Sequence, residues 1–97
     1  MFLHICDAKY LDEYKVEISF NNGKSGVADL VDITKRKGRM FNSLKDIAIF
    51  SQLHVDSDLA TIVWPNGVDL APEYLYFHTF KNDPTLECQF REWGYIT

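Results

Sequence analysis

Residues 64–70 read Trp-Pro-Asn-Gly-Val-Asp-Leu, and they restrict the fold of this chain more than any other segment. Pro65 cannot donate a hydrogen bond to a β-ladder, so a strand must end there or lie at a sheet edge. Asn66 and Gly67 then turn the chain, with apolar residues on both sides. The segment predicts a sharp corner at the end of a strand, and we interpret Asn66 and Gly67 as structural residues.

The composition and charge indicate one globular domain. The chain has 97 residues, of which 46% are hydrophobic and 25% charged, and these are ordinary proportions. The net charge of -4 argues against nucleic-acid binding over the whole surface. No apolar run approaches the roughly 20 residues that span a bilayer, and the N-terminal segment lacks the basic start of a signal peptide. We therefore expect a cytoplasmic protein without membrane contact.

The first part of the chain predicts antiparallel strands. Residues 1–10 contain strand-forming side chains in an imperfect alternation, which predicts a bulge or bend near Asp7. Residues 14–20 alternate cleanly between apolar and polar side chains, as a half-buried antiparallel strand does.

The segment 21–24, Asn-Asn-Gly-Lys, predicts a hairpin with a type I′ turn, because Asn and Gly accept a positive φ. The partner strand is expected to run from about residue 24 to residue 31. Val27 and Leu30 are predicted to face inward, and Gly26 to mark a bulge.

Short helical segments are predicted between residues 33 and 50. Thr34 is a candidate N-cap for one helical turn that Gly38 should end. Ser43 is a candidate N-cap for a helix over 44–50, with Asp46 as the acid of a capping box. The apolar stripe of that helix comprises Leu44, Ile47 and Phe50.

The following segments predict two short strands and a helix. The strands are expected over 52–56 and 59–64. The helix is expected over 71–80, because Pro72 suits a first helical turn and Glu73 complements the helix dipole.

The C-terminal segment 81–97 predicts an extra strand or an exposed arm. Its apolar residues either cover the chain's own sheet or cross to a second subunit, and we favour a symmetric homodimer. The predicted oligomer interface comprises Phe90, Trp93, Tyr95 and Ile96.

Several segments together resemble a known family. They include YKVEISFNNG (14–23), FNSLKDIAIF (41–50) and TIVWPNGVDLAPEYLY (61–76). Their order resembles the small prokaryotic family catalogued as domain of unknown function 2442. The resemblance implies an α+β fold of short antiparallel hairpins with one or two helices in a single domain, and it brings no catalytic residue set.

The resemblance also implies a regulatory setting. Such domains look like free-standing bacterial proteins or precede a helix-turn-helix module, and some are encoded beside another small domain in the manner of toxin–antitoxin pairs. The resemblance covers about residues 1–77, so we divide the chain into an α+β domain over 1–80 and a C-terminal extension over 81–97. This chain has no helix-turn-helix module, so DNA binding by that route is not expected.

The histidines and cysteines indicate no metal or thiol chemistry. His4, His54 and His78 lie on separate predicted elements, without the close ligand pair of a metal site. Cys6 and Cys88 are expected to be free thiols, with Cys6 in the core. We predict no metal, no cofactor and no catalytic residue, although an enzyme stays an open alternative.

A small ligand pocket is the alternative to a pure interaction module. Asp69 could be a general base or a ligand-binding carboxylate, or it could pair with Asp29 or Asp32. A short acid after a turn more commonly accepts backbone N–H bonds, and we favour that role. The candidate binding residues of this pocket are Trp64, Asn66, Asp69 and Tyr74.

One basic run provides the strongest local charge. A solvated loop is the favoured interpretation, and a patch for an acidic partner or for phosphates is the alternative. We expect a module that binds a protein partner, with nucleic acid not expected for this chain alone. The basic run comprises Lys35, Arg36, Lys37 and Arg39.

Overall fold

The computed structural model describes residues 2–96. The described chain is an α+β fold with two antiparallel sheets and short helices, as predicted. The strands are β1 (Ile5–Asp12), β2 (Lys15–Phe20), β3 (Ser25–Asp29), β4 (His54–Asp56) and β5 (Thr61–Val63). The α-helices are α1 (Arg39–Ser43), α2 (Ile47–Phe50), α3 (Pro72–Phe80) and α4 (Glu87–Glu92), and 3-10 helices cover Val31–Lys35 and Pro84–Leu86.

The first sheet is a meander in which β2 pairs with β1 on one side and with β3 on the other. Its central strand buries Val16, Ile18 and Phe20 and exposes Lys15 and Glu17. This confirms the predicted alternation, which arises because side chains on a strand point to opposite faces in turn.

The predicted irregularity near Asp7 is present. The pairing of β1 with β2 shifts register between Ile5 and Asp7. Ile5 is buried, whereas Cys6 is exposed at the shift. The prediction of a core thiol at Cys6 is therefore wrong, because the bulge interrupts the alternation at that residue.

The hairpin between β2 and β3 has a three-residue loop. Phe20 N donates to Lys24 O at 2.9 Å, and Gly23 N donates to Phe20 O at 3.2 Å. A type I′ turn needs a positive φ at both central residues, but in this loop only Gly23 has one, at +86°. The predicted hairpin is confirmed and its turn type is wrong.

Two predictions for β3 are also wrong. The register against β2 is continuous through Gly26, so there is no bulge, and Val27 faces solvent while Ala28 is buried. A Cβ at Gly26 would lie 2.8 Å from Cγ2 of Thr79 in α3. Gly26 thus permits the close approach of α3 to the sheet.

The segment between the two sheets differs most from prediction. Thr34 lies inside a 3-10 helix and its hydroxyl donates to Val31 O, so it is not an N-cap. Gly38 precedes α1 with φ +119° instead of ending a turn. Ser43 ends α1, and Asp46 caps α2 by accepting a hydrogen bond from Ala48 N at 2.9 Å. The helix predicted over 44–50 therefore begins only after Asp46, as α2, and α1 lies before the predicted range.

The β4–β5 hairpin and α3 confirm the predicted elements, although the strands are shorter than predicted. β5 is buried along its length. The hairpin touches the first sheet where Ile5 N donates to Ala60 O at 2.8 Å. The core lies between these layers and includes Leu44 and Phe50 of the predicted apolar stripe, whereas Ile47, the third residue of that stripe, is exposed.

The C-terminal segment is helical, so the predicted strand or arm is wrong for the described residues. Asp83 accepts a hydrogen bond from Thr85 N at 2.9 Å and starts the 3-10 helix. Phe90 of α4 is only 1% exposed, and the Tyr95 ring stacks on Phe77 with centroids 5.0 Å apart. The segment folds back on α3 of its own chain.

Candidate binding surfaces

The corner after β5 is held by its own backbone and by the core. Trp64 N donates to Val68 O at 2.9 Å, and Gly67 has φ +95°. The Trp64 side chain is 2% exposed, and its indole Nε1 donates to Phe50 O at 2.8 Å. The indole is therefore part of the core and has its hydrogen bond satisfied there.

Asn66 uses its side chain to fasten α1 to the corner. Its amide nitrogen donates to Met40 O at 3.1 Å and to Ser43 Oγ at 2.9 Å. Its amide oxygen accepts from Val68 N at 3.1 Å. These contacts support a structural role for Asn66.

The four residues proposed for a ligand pocket lie in two places. The Asp69 side chain is exposed, and the Asp69 backbone forms an isolated β-bridge with Val63. Asp69 and Trp64 line an open hollow that His54 and Asp56 also line. Tyr74 does not line that hollow and instead packs against His78, with ring centroids 4.3 Å apart and the rings tilted by 47°. The structure therefore brings Trp64 and Asp69 together at one hollow and leaves Tyr74 outside it.

The predicted basic run surrounds an open hollow of about 580 Å³. Lys45, which is remote from the run in sequence, lies at the same hollow. The lining contains no carboxylate, and it holds half of the ten basic residues of the chain. The hollow, which we call the basic hollow, is lined by Thr34, Lys35, Arg36, Lys37, Gly38, Arg39, Asn42 and Lys45.

Two aromatic rings position one cation of the basic hollow. The guanidinium carbon of Arg36 lies 4.6 Å from the Tyr74 ring centroid and 5.2 Å from that of Phe41. Stacking on aromatic faces is favourable for a guanidinium and restricts its motion. The local sequence shows no aromatic between these charges, so the arrangement becomes visible only when the fold brings α1 and α3 together.

A buried imidazole lies behind the Arg36 site. Burial raises the pKa of Tyr74, and the charge of Arg36 opposes this effect. Burial also lowers the pKa of His78, and Lys81 lowers it further while Asp32 opposes the change. His78 is 7% exposed, and its Nδ1 has no hydrogen-bond partner in residues 2–96. The neutral imidazole is the form that this environment favours.

The four residues predicted for an oligomer interface pack largely within the chain. Phe90 is buried, and the other three are half-buried. The Trp93 ring lies 6.0 Å from Tyr76, centroid to centroid. Their apolar character is thus partly accounted for by the monomer, and the dimer stays a prediction.

The described chain shows neither a membrane-spanning helix nor a metal cluster. From residue 2 to residue 96, no helix is both long and apolar enough to cross a bilayer. Over the same residues, no three His, Cys, Asp or Glu side chains are grouped to hold a metal ion. Cys6 and Cys88 are both free thiols, as predicted. Both are exposed, whereas Cys6 was predicted to be buried.

The fold and surface define a small α+β domain with a concentrated basic hollow. Residues 5–81 match the family described as "Protein of unknown function (DUF2442)". The chain therefore belongs to this family, as its motifs predicted. Residues 82–97 lie outside the match. None of the curated proteins matches the chain.

One solved structure is similar in fold. It is the crystal structure of "Putative DNA Binding Protein NE0471" from Nitrosomonas europaea ATCC 19718. The TM-score is 0.71 at 16% sequence identity, and the match covers 84% of this chain. The match spans 52% of the other chain, so about half of that protein has no counterpart here. At this identity the likeness shows a shared fold.

Proposed function

We propose that this chain is a non-catalytic interaction module that binds an acidic segment of a protein partner in the basic hollow. The main support for this proposal is that five cationic side chains surround one hollow in a chain whose net charge is -4. Such a local field attracts a polyanion and orients its approach.

The basic hollow is suited to binding because one of its cations is positioned in advance. Arg36 is held between Phe41 and Tyr74, so little of its side-chain entropy is lost when a carboxylate binds. The charge of Lys35 is partly neutralised by Asp32, whose Oδ1 lies 3.9 Å from Lys35 Nζ, and both side chains are exposed. An exposed pair of this kind is weak and can exchange for a partner's carboxylate.

A protein partner is favoured over nucleic acid by the charge of the whole chain. The remaining surface carries an acidic excess, which repels a long phosphate backbone. The name of the Nitrosomonas europaea protein supports nucleic acid as the second candidate, but half of that protein is absent here. A regulatory role of the antitoxin kind, in the cytoplasm, extends this proposal, and the exposed free thiols suit a reducing compartment.

Affinity purification from nuclease-treated extract of the native host tests the proposal. The wild-type chain is compared with a variant carrying Lys35→Glu, Lys37→Glu and Arg39→Glu. Arg36 is left unchanged because it packs on Tyr74. The matched control reverses three exposed lysines outside the hollow, Lys9, Lys15 and Lys81.

The expected result is a protein that the wild type and the control retain and that the hollow variant loses. The purified partner should then bind the wild type directly. Retention of the same proteins by all three chains would refute the role of the basic hollow. Nucleic acid retained from untreated extract, with no protein lost on charge reversal, would favour the second candidate.

We further propose a homodimer through the C-terminal segment, since Trp93, Tyr95 and Ile96 keep part of their surface exposed. Light scattering on the full chain at micromolar concentration should give twice the mass of 11.3 kDa. A monomeric mass would refute the dimer without affecting the basic hollow.

A further inference from the structure

A second concave site lies away from the basic hollow. It is a recess of about 280 Å³ between the N-terminal segment, the β2–β3 turn, α3 and α4. Its volume is near the lower end of the range for small-molecule sites. We call it the aromatic recess, and its walls include Phe2, Asn22, Glu73, Tyr76, Gln89 and Trp93.

Three aromatic side chains and Leu3 form the apolar part of this recess. Tyr76 is buried, and its hydroxyl accepts a hydrogen bond from Asn22 Nδ2 at 3.3 Å. Trp93 is half-buried, and its ring lies 6.0 Å from that of Tyr76. Phe2 is 85% exposed at the same recess. The exposed phenyl ring adds apolar area at the rim of the recess that a bound molecule could cover.

The backbone next to Phe2 is fixed. Asn21 donates from Nδ2 to Phe2 O at 2.8 Å and accepts from His4 N at 3.0 Å through Oδ1. These two bonds tie the N-terminal segment to the β2–β3 turn. The backbone that carries Phe2 is therefore held at the rim of the recess, and the Tyr76 and Trp93 rings pack against each other in its wall.

The charge in the aromatic recess is negative. Glu73 is the one charged side chain in its described lining, and it is half-buried near the start of α3. The ion pairs described for residues 2–96 do not include Glu73. Aromatic faces together with one carboxylate attract an organic cation through the ring quadrupole and direct charge pairing.

We propose that the aromatic recess binds a small organic ammonium compound, with Glu73 as counter-ion and Trp93 as an aromatic wall. The aromatic recess and the basic hollow share no lining residue and select opposite charges. The proposal therefore stands independently of the proposed function.

A titration with choline tests this assignment, with 3,3-dimethyl-1-butanol as the neutral compound of the same shape. The chain has two tryptophans, so the two indole N–H signals in a proton–nitrogen spectrum report on two environments. Choline, added to about 50 mM to cover a weak site with Kd near 1 mM, should move the Trp93 signal. The Trp64 signal should stay, because that indole is buried and donates to Phe50 O.

Glu73→Gln should weaken choline binding about tenfold, because it removes the charge and keeps the shape. The matched control is Glu92→Gln, which removes an exposed carboxylate of α4 outside the recess and should leave the affinity unchanged. An unmoved Trp64 signal in each variant shows that the fold is intact. Equal shifts with choline and its neutral analogue, no Trp93 shift with choline, or unchanged affinity in Glu73→Gln would each overturn the proposal.

Discussion

The two Asn-Gly turns of this chain have the same backbone bonding but different surroundings. In each turn one residue donates its N–H to the carbonyl four residues later at 2.9 Å. This residue is Phe20, which ends β2, or Trp64, which directly follows β5. Each Asn accepts from the N–H two residues later. The glycines Gly23 and Gly67 have φ of +86° and +95°.

The surroundings give the two turns different roles. A Cβ on Gly23 would meet nothing within 4 Å, whereas one on Gly67 would lie 3.2 Å from Met40 Cε. Asn66 fastens α1, which supplies Arg39 and Asn42 to the basic hollow. The shared Asn-Gly pair thus specifies the same turn conformation in both places. The tertiary contacts decide how much each turn contributes to stability and to a binding surface.

Replacement of the turn glycines should produce the largest losses of unfolding free energy, and the loss should differ between the two turns. Gly67→Val should lower the free energy of unfolding by about 3 kcal/mol, because a β-branched residue is strained at positive φ and Met40 must also move. Gly23→Val should lower it by about 2 kcal/mol, from the strain alone. Urea unfolding of both variants measures the two losses. Equal losses would show that the surroundings of Gly67 add nothing.

Removal of an Asn side chain should also destabilise the two turns unequally, with smaller losses of unfolding free energy than the glycine replacements. Asn66→Ala loses three hydrogen bonds and should cost about 1–2 kcal/mol. Asn22→Ala loses a turn bond and a long contact to Tyr76 and should cost about 0.5–1 kcal/mol. The same unfolding assay decides the order. A larger loss for Asn22→Ala would contradict the anchoring role of Asn66.

The smallest expected effect is a pH dependence of the free energy of unfolding. Variants of the two turns should show the same pH dependence. The folded state lowers the pKa of His78 below its usual 6.5, so the unfolded chain binds a proton more readily. Stability from this residue is complete above pH 6.5 and is lost as pH falls below that value. His78→Gln should reduce this loss, whereas His54→Gln, at an exposed position, should not.

The turn variants provide the comparison for that experiment. Neither turn contains a titratable side chain from residue 21 to 23 or from 65 to 67. The stabilities of Gly67→Val and Gly23→Val should therefore fall in parallel between pH 7 and pH 5. Divergent pH profiles would show that one turn is coupled to the titrating group.

The sequence predicted the regular parts of the fold because their patterns are local. The alternation in β2, the corner at Pro65 and the start of α3 at Pro72 each follow from adjacent residues. The predictions for Cys6 and Val27 failed because burial there depends on a bulge and on pairing register. Local spacing does not determine either of these.

The candidate sites were predicted less completely because they depend on tertiary contacts. The basic run was visible in the sequence, but Lys45 joins it only through the fold. The rings around Arg36 come from α1 and α3, which are far apart in the chain. The aromatic recess likewise combines Phe2 with Trp93 from the opposite end of the sequence.

The basic hollow is proposed to bind an acidic protein segment. Isothermal titration of the chain with an oligo-glutamate peptide, with a DNA duplex as comparator, tests it most directly. We expect the peptide to bind more tightly than the duplex and added salt to weaken peptide binding. Charge reversal at Lys35, Lys37 and Arg39 should abolish peptide binding, whereas charge reversal at Lys9, Lys15 and Lys81 should not. Absence of peptide binding, tighter binding of the duplex, or equal peptide binding by both variants would show that the basic hollow does not bind an acidic protein segment.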